Sequence, residues 1–485
     1  MFTPAAKSNE SEQSSNLDLL RERIKTLLEQ NSLSDVSSVS VVSFVGFSQN
    51  GSTTNVASIA NTIIEKNVFE QSDNYELKND HRQEKATLLI SNKNNYGLWM
   101  YCDKTKNIVY LLLDSMHGWE TLLMLWDKDC NLADNTDGFQ EWMWNQEHFY
   151  LRLLFFTFIV SHTILLTLPV SKLDGNLVSL LRTVASLKRY ILTQTSAYVN
   201  LCWQSLGIPS PYGTSVPGYS GRGGGQQGGV MAPGRCVPFV LFLFHEVQLP
   251  SSVNGDGTKA DIGHEKAASG SIKRMKESLQ ARIRFLFRTC YLVQTNDVHA
   301  PFDGRFLFTL PPPSAQFFVH LITRGSIGNQ LAADQPAATV LSKTLRRQDF
   351  RNIDNFEIKL LREFASGWIK WLATGFPRSF AKRNLTALEL PTGSQWMSGA
   401  VALQELLFGQ LAKEIMDRRS YSAVDDAFGR RLKDCVQVNN RFSASHCAQV
   451  LRKAVDFYSS DLPAHYTRES HEHKESFSWK FKRSS

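Results

Sequence analysis

A short glycine-bounded loop after an apolar run constrains the fold of this chain most strongly. Gly46 directly follows the run Val41–Val45, and Gly51, Ser52 and Thr53 stand five, six and seven residues after it. This is the spacing of a phosphate-binding P-loop, G-x-x-x-x-G-K-[ST], whose backbone N–H groups and following helix hold phosphate oxygens. Apolar residues then recur at helical spacing, which completes the strand, loop and helix order of the motif. The sequence therefore predicts a P-loop-derived α/β fold.

The lysine of the P-loop pattern is absent, because Ser52 stands in its place. The lysine supplies positive charge to the β- and γ-phosphates, whereas a serine donates a hydrogen bond without charge. Since charge-assisted hydrogen bonds contribute about 1.5 to 3 kcal/mol each, we expect triphosphate binding to be weaker by about one to two decades. We therefore expect no catalytic residues, no metal ligands, no cofactor and no enzymatic activity.

A carboxylate at the end of a second strand supports the loop prediction. The loop alone is weak evidence, because a match without the lysine arises by chance about 0.2 times in a chain of this length. The buried-strand pattern Val109–Leu113 ends in Asp114, as the metal-side aspartate of P-loop nucleoside triphosphatases does. Ligands of such sheets bind at the carboxyl ends of the strands, where Gly46 and Asp114 both fall. A simpler alternative makes Thr53 a helix N-terminal hydroxyl and Asp114 an ordinary strand-end carboxylate.

The guanine-reading motif [NT]-K-x-D is not found where a GTPase would carry it. Ser171–Asp174 resembles the motif but follows the predicted strand Thr163–Leu168, which is one strand too early. The strand in the right ordinal place, Val237–Phe244, ends in His245–Gln248, which cannot present the required aspartate. The sequence thus predicts a vestigial nucleotide site formed by Gly46, Gly51, Ser52, Thr53 and Asp114.

Composition and charge are those of an ordinary intracellular protein of two or three domains. The chain has 485 residues, of which 42% are apolar, and a formal net charge of +7. This mild excess does not indicate nucleic-acid binding, so direct RNA binding is not expected. The seven cysteines are scattered, odd in number and never form C-x-x-C, which is typical of reduced thiols. We expect a cytoplasmic location, without a disulfide framework or a zinc site.

One segment resembles a membrane span but is interpreted as core. Phe149–Val170 is long and apolar, yet it contains Arg152 and His162. We predict a buried helix at about 139–160 that runs into the strand 163–168. The polar N-terminus Met1–Asn16 lacks the apolar stretch of a signal peptide.

Strands alternate with helices over the first two thirds of the chain. This pattern predicts a mostly parallel sheet with helices on both faces, followed by an all-helical C-terminal domain. The predicted strands are 41–46, 87–91, 96–102, 108–113, 163–168, 237–244 and 317–322, and the predicted helices include 17–28, 119–126, 139–160 and 271–292. The predicted domains are a flexible leader at 1–37, a degenerate GTPase-like domain at 38–330 with low-complexity insertions at 209–234 and 250–270, a helical domain at 340–467 and a disordered tail at 468–485.

Two features near the insertions leave the choice of partner open. The first insertion contains Gly221–Gly225 with a single arginine, which favours a flexible loop over an RNA-binding arginine-glycine segment. The second leads into the basic helix Ser271–Leu292, whose cations form either a solvated face or a contact with an acidic partner. An RNA-binding module made of both features is a third and weaker alternative.

Several short stretches resemble the SMG-eight family of nonsense-mediated mRNA decay factors. They include the lysine-less loop, the strand His162–Leu166 and Leu307–Pro311 before an aromatic strand. The two most specific stretches are Leu388–Thr392 leading to Trp396, and Arg441–Ser443 through Cys447 to Asp461–Thr467. The resemblance extends over roughly 40–467.

The resemblance implies a non-catalytic scaffold with a degenerate nucleotide site. Members of the family pair with the GTPase-fold protein SMG-nine, and the heterodimer binds and restrains SMG-one, a phosphatidylinositol-3-kinase-related kinase. A further C-terminal part of the family, which contacts and inhibits the kinase, is not covered by the stretches quoted above. The alternative is a P-loop nucleoside triphosphatase with an atypical lysine-less loop, in which Lys66 or a partner's lysine supplies the charge.

Overall fold

The computed structural model describes about half of the chain, in twelve segments and two single residues. All elements below belong to the first of two compact units, Met1–Gly429, the second being Arg430–Ser485. The described residues are 7–47, 56–69, 85–92, 96–114, 136–168, 173, 175–210, 231–247, 261–293, 305–310, 318–323, 390–409, 422–428 and 452.

The strands form one seven-stranded sheet in the order β2-β3-β4-β1-β5-β6-β7. The pairs β4–β1, β1–β5, β5–β6 and β6–β7 are parallel, whereas β2–β3 and β3–β4 are antiparallel. This confirms the predicted α/β class with a mostly parallel sheet. The strands are β1 (Ser40–Gly46), β2 (Thr87–Ser91), β3 (Gly97–Asp103), β4 (Ile108–Leu113), β5 (Thr163–Leu168), β6 (Phe239–Val247) and β7 (Val319–Thr323).

Most of the described helices follow the strands that they connect. The main helices are α1 (Lys7–Asn31), α2 (Val56–Ile64), α3 (Thr136–Val160), α4 (Gly175–Ser205), α5 (Asp261–Thr289) and α6 (Gly393–Phe408).

A further short helical segment, 422–428, packs on α3. Arg152 of α3 forms an ion pair of 2.6 Å with Asp425, and the ring of Phe428 contacts that of Phe155 edge-on.

Helices cover both faces of the sheet, as the contacts of β1 show. Gly46 faces α2, because a side chain built on it would meet Val56. The hydroxyl of Ser43, which projects from the opposite face, lies 2.6 Å from that of Ser161 at the end of α3. The three central strands β1, β4 and β5 are buried along their whole lengths, which is why apolar residues dominate each of them.

Helix α6 packs against α1, α3 and α4 rather than against the sheet alone. The indole N–H of Trp396 donates to the carbonyl of Val160 (3.0 Å), and that of Trp203 donates to the hydroxyl of Ser398 (2.9 Å). On the side of α1, Leu20 and Ile24 are buried. The predicted leader 1–37 therefore includes a packed helix, and α6, from the predicted helical domain 340–467, lies on helices of the sheet-containing unit.

The predicted elements agree with the observed ones most closely in the centre of the sheet. Strands 87–91, 108–113 and 163–168 have the predicted bounds, and β1 and β3 differ from theirs by one residue. Helix α5 begins ten residues before its predicted start, within the insertion predicted at 250–270. The predicted helix 119–126, the insertion 209–234 except for 209–210 and 231–234, and the tail 468–485 lie outside the described residues. The domain boundaries stay predictions.

In the apolar segment Phe149–Val170, residues 149–160 are the end of α3 and residues 163–168 are β5, as predicted. In the described part of the chain, no helix is long and apolar enough to cross a membrane.

Candidate functional site

Gly46 and Asp114 lie side by side at the carboxyl edge of the sheet. Val45 of β1 pairs with Leu113 of β4, so the next residue of each strand stands at the same level. A Cβ atom on Gly46 would lie 3.4 Å from a carboxylate oxygen of Asp114 and would overlap a methyl group of Val56. Glycine is thus required here by the close approach of α2 and β4 to the end of β1. The two residues meet where a parallel sheet binds its ligands.

The rest of the predicted loop lies outside the described residues. Gly51, Ser52 and Thr53 fall in the stretch 48–55, so their part in an anion cradle stays a prediction. Helix α2 begins at Val56, beside Gly46, and its amino end therefore lies at the same edge. The amino end of a helix carries partial positive charge, which favours a bound anion.

The first amide of the loop is already occupied by the protein itself. The N–H of Phe47 donates to the carbonyl of Thr167 on β5 (3.0 Å), directly after the pairing of Gly46 with Thr167. This bond fixes the start of the loop against β5.

Asp114 is backed by two buried phenols. The hydroxyl of Tyr96 donates to the backbone carbonyl of Asp114 (2.9 Å). Burial raises the pKa of Tyr96 well above its usual value, and the neighbouring Tyr150 and Asp114 raise it further. Burial and the charge of Asp114 likewise raise the pKa of Tyr150. Both phenols therefore stay neutral, and the hydroxyl of Tyr96 remains a donor that holds the end of β4 in place.

Lys66 does not lie where a P-loop lysine would be needed. It follows α2 at the end opposite the loop, and its ammonium donates to the hydroxyl of Tyr101 (2.8 Å). Tyr101 pairs with Tyr110, which stands four residues before Asp114 on β4. At about 3.3 Å per strand residue, the two positions are about 13 Å apart along the strand. The hypothesis that Lys66 replaces the missing lysine therefore disagrees with the structure.

The strand in the position of the guanine-reading motif gives no loop at the expected place. Strand β6 runs to Val247, so His245 and Glu246 are strand residues rather than the start of a recognition loop. In the other segment that resembles the motif, Ser171, Lys172 and Asp174 lie outside the described residues.

Two buried polar residues on the sheet's other side were not predicted from the sequence. The imidazole of His162 accepts a hydrogen bond from the N–H of Val41 (3.0 Å), and its other nitrogen lies 2.8 Å from the carbonyl of Met231. The ammonium of Lys188, which is fully buried, donates to the carbonyls of Cys236 (2.6 Å) and Phe306 (2.9 Å). These residues join loops to the sheet through protein carbonyls and amides.

A signal for Lys188 was present in the sequence. It stands four residues after Val184 and three before Ile191, in the middle of the apolar stripe of α4. A lysine in such a stripe is buried with the stripe, and a buried ammonium needs acceptors around it. Among the described residues, no group of three or more His, Cys, Asp or Glu side chains is arranged to hold a metal ion.

Comparison with known families adds a decisive observation to this geometry. Residues 34–478 match the protein family Smg8_Smg9. The chain belongs to this family. The Smg8_Smg9 match includes all seven strands, α2 to α6 and the pair Gly46 and Asp114, and it confirms the resemblance that the short stretches of sequence indicated.

A named relative of this Smg8_Smg9 chain is "Nonsense-mediated mRNA decay factor SMG8" of Xenopus tropicalis, the SMG-eight of that species. The two are 21% identical over 406 residues, which cover 77% of this chain and 41% of the relative. The aligned part of the chain thus spans about two fifths of the relative's length.

Proposed function

We propose that this chain is a non-catalytic scaffold and regulatory subunit in nonsense-mediated mRNA decay. The observation that carries the proposal is its membership of the Smg8_Smg9 family together with a relative named as a decay factor. The lysine-less loop supports the non-catalytic part, because Ser52 brings no charge to a terminal phosphate. A cytoplasmic location is part of this proposal.

The sheet acts as a pseudo-GTPase domain. The carboxyl end of β1 is a topological switch point, because β4 lies on one side of β1 whereas β5, β6 and β7 follow on the other. Such a switch point is where open α/β sheets bind nucleotides. Lys66 lies too far away to replace the missing lysine, which weakens that ability. The domain keeps the architecture of a nucleotide-binding protein and serves assembly.

The partners follow from the family. The pseudo-GTPase domain pairs with SMG-nine, and the heterodimer binds SMG-one and regulates its kinase activity. Direct RNA binding is not part of the proposal.

A nucleotide-binding experiment tests the non-catalytic part. The full chain, purified alone and with SMG-nine, is analysed for bound nucleotide and titrated calorimetrically with GTP and ATP in the presence of magnesium. We expect dissociation constants of millimolar or weaker and no turnover. Ser52→Lys should tighten binding by about one to two decades if the backbone cradle is intact. Micromolar binding with magnesium-dependent hydrolysis that Asp114→Ala abolishes would establish a nucleoside triphosphatase instead.

An assembly experiment tests the regulatory part. Gel filtration of the full chain with SMG-nine should give one complex of both proteins, and adding that complex to SMG-one should lower phosphorylation of its RNA helicase substrate. Kinase activity that is the same with and without the complex would contradict the regulatory role. Separate elution of the two proteins would contradict the pairing.

A further inference from the structure

A cluster of positive charge lies on the second half of α5 and the turn that follows it. The stretch 273–291 holds six lysines and arginines and one acidic residue, Glu277, whereas the whole chain has an excess of only seven positive charges. Lys273, Arg274 and Arg282 are exposed, and Arg284 and Arg288 are partly exposed. A strongly basic patch on a nearly balanced protein provides long-range attraction for an acidic surface.

Large aromatic side chains stand among these cations. Phe285 and Tyr291 are 73% and 71% exposed, more than any other large apolar side chain in the described part of the chain. The opposite face of α5 supplies the core contacts, with Ile283 and Phe287 fully buried and the ring of Phe287 stacked on Phe242. Because that face already fixes α5 to the sheet, Phe285 contributes nothing to the core.

Tyr291 is held in a backbone conformation that a large side chain rarely adopts. Its φ is +55°, and the two bonds of a Schellman motif surround it: its own N–H donates to the carbonyl of Arg288, and the N–H of Leu292 donates to that of Phe287. The same two-bond motif ends α4, where Gly207 takes the left-handed position, and α1, where Ser32 takes it. Glycine is the favoured residue at this position. Tyrosine there is under backbone strain, and such strain is found at functional sites.

The neighbouring helix extends this corner of the surface. The guanidinium of Arg189 on α4 donates to the carbonyl of Tyr291 (3.3 Å), and the next residue, Tyr190, is itself exposed. Three of the five most exposed large apolar side chains of the described residues are thus in this corner of the fold.

We propose that the surface formed by Arg274, Arg282, Phe285 and Tyr291, here called the α5 face, docks on another protein that offers an apolar pocket rimmed by carboxylates. This inference rests on the proposed function, because it names the surface through which the subunit assembles. Aromatic and arginine side chains dominate the binding energy of protein interfaces. The α5 face is a convex helix with aromatic anchors, which suits insertion into a groove. Single strands of nucleic acid are instead tracked by a groove of the protein.

Two pairs of variants test the α5 face in the full chain. Phe285→Ser is compared with Leu19→Ser, because Leu19 is also exposed but lies on α1. Arg282→Glu is compared with Arg182→Glu, which makes the same change of charge at an exposed position on α4. The affinity of each variant for purified SMG-nine and for purified SMG-one is measured by surface plasmon resonance at two salt concentrations. We expect Phe285→Ser and Arg282→Glu to weaken binding to one of these partners at least tenfold and the controls to leave both affinities unchanged.

The strained residue gives a test in which stability and binding change in opposite directions. Tyr291→Gly should raise the thermal unfolding midpoint by about 1 to 2 °C and weaken binding to the partner at least fivefold. The control Ser32→Gly should change stability in the same direction and leave binding unaltered.

The outcomes separate this inference from the proposed function. If the wild-type chain binds neither partner, the proposed function fails and the docking surface fails with it. If the wild type binds and both α5 variants bind equally well, the α5 face is not the docking surface although the proposed function stands. Fluorescence anisotropy with a fifteen-nucleotide uridine RNA is the third arm. If that RNA binds tightly and the same two substitutions abolish its binding, the occupant is nucleic acid and the protein pocket is wrong.

Discussion

Val41 and His162 are joined by two hydrogen bonds at the amino edge of the sheet. The N–H of Val41 donates to the imidazole of His162, and the N–H of His162 donates to the carbonyl of Val41, both over 3.0 Å. The second ring nitrogen lies 2.8 Å from the carbonyl of Met231 and therefore donates a hydrogen bond to it. A neutral imidazole satisfies both the N–H of Val41 and the carbonyl of Met231 at once, and a protonated one cannot accept from Val41.

The pH dependence of stability should carry the signature of His162. Burial lowers the pKa of His162 from 6.5 to about 4, although the contact with Met231 opposes the shift. The unfolded chain takes up this proton below about pH 6.5 and the folded chain only near pH 4, so stability falls over that interval, by up to about 3 kcal/mol from this group. In urea unfolding, the stability difference between wild type and His162→Gln should shrink from pH 7.5 to pH 4.5.

A second histidine serves as the comparison for that experiment. The pKa of His148 is also lowered to about 4, first by burial and then by the charge of Arg152, with Asp425 opposing. His148 is only partly buried, so His148→Gln should alter the pH dependence less than His162→Gln does. Unfolding midpoints of wild type and His162→Gln that stay parallel across the whole pH range would contradict the assignment.

Replacing Lys188 should destabilise the chain strongly. Its ammonium donates to the carbonyls of Cys236 and Phe306, which belong to two separate loops. Lys188→Met keeps the apolar stem but leaves buried acceptors without their donor, at a cost of about 3 kcal/mol or more. The exposed Arg182 on the same helix is the control, and Arg182→Met should change stability by less than about 0.5 kcal/mol. Thermal unfolding of the two variants measures the difference, and equal midpoints would rule out the structural role of Lys188.

Gly46→Ala should also lower stability, since the added methyl group would overlap a methyl of Val56 and touch the carboxylate of Asp114. Overpacking of this kind costs about 1 to 3 kcal/mol. Gly175→Ala at the start of α4 is the matched control, because nothing lies within 4 Å of the added atom. Chemical denaturation of both variants checks this prediction. A Gly46→Ala protein as stable as the wild type would show that α2 does not approach β1 as closely as described.

The amino end of α6 should depend on Thr392. Its hydroxyl accepts from the N–H of Gln395 (3.2 Å), and the side chain of Gln395 accepts from the N–H of Thr392 (2.9 Å), which is a complete capping box. Thr392→Ala should cost about 1 kcal/mol. Thr26→Ala on α1 should be nearly neutral, because the hydroxyl of the exposed Thr26 only returns to a carbonyl of its own helix, that of Glu22. Differential scanning calorimetry should separate the two variants, and an unchanged midpoint for Thr392→Ala would count against the cap.

The central strands were predictable because their burial restricts the residue types that they can contain. Val109–Leu113 and Thr163–Leu168 are buried at every position, so short runs dominated by apolar residues mark their bounds. Strand β6 was predicted to end at Phe244, because the polar pair His245 and Glu246 hides its continuation to Val247. Backbone pairing can continue where side-chain polarity no longer signals a strand.

The position of α6 could not be predicted from periodicity. The apolar residues from Trp396 onward show which face is buried but not which element buries it. The bonds from Trp396 to Val160 and from Gln404 to Leu89 are set by tertiary structure.

For the candidate site, the spacing of residues placed Gly46 and Asp114 at one edge correctly, whereas the position of Lys66 depended on the length and direction of α2. A single sequence gives neither packing partners nor such distances.

The backbone contacts between the start of the sheet and the segment before α6 affect how this protein can be made. The N–H of Val39 donates to the carbonyl of Pro391 and the N–H of Gly393 donates to that of Val36, each over 2.9 Å. A ribosome adding about 5 to 20 residues per second needs roughly 20 to 70 s between Val39 and Pro391. Throughout that interval the nascent chain cannot form these two hydrogen bonds beside its first strand. The backbone beside β1 is therefore completed only late in translation, after every strand of the sheet has been synthesised.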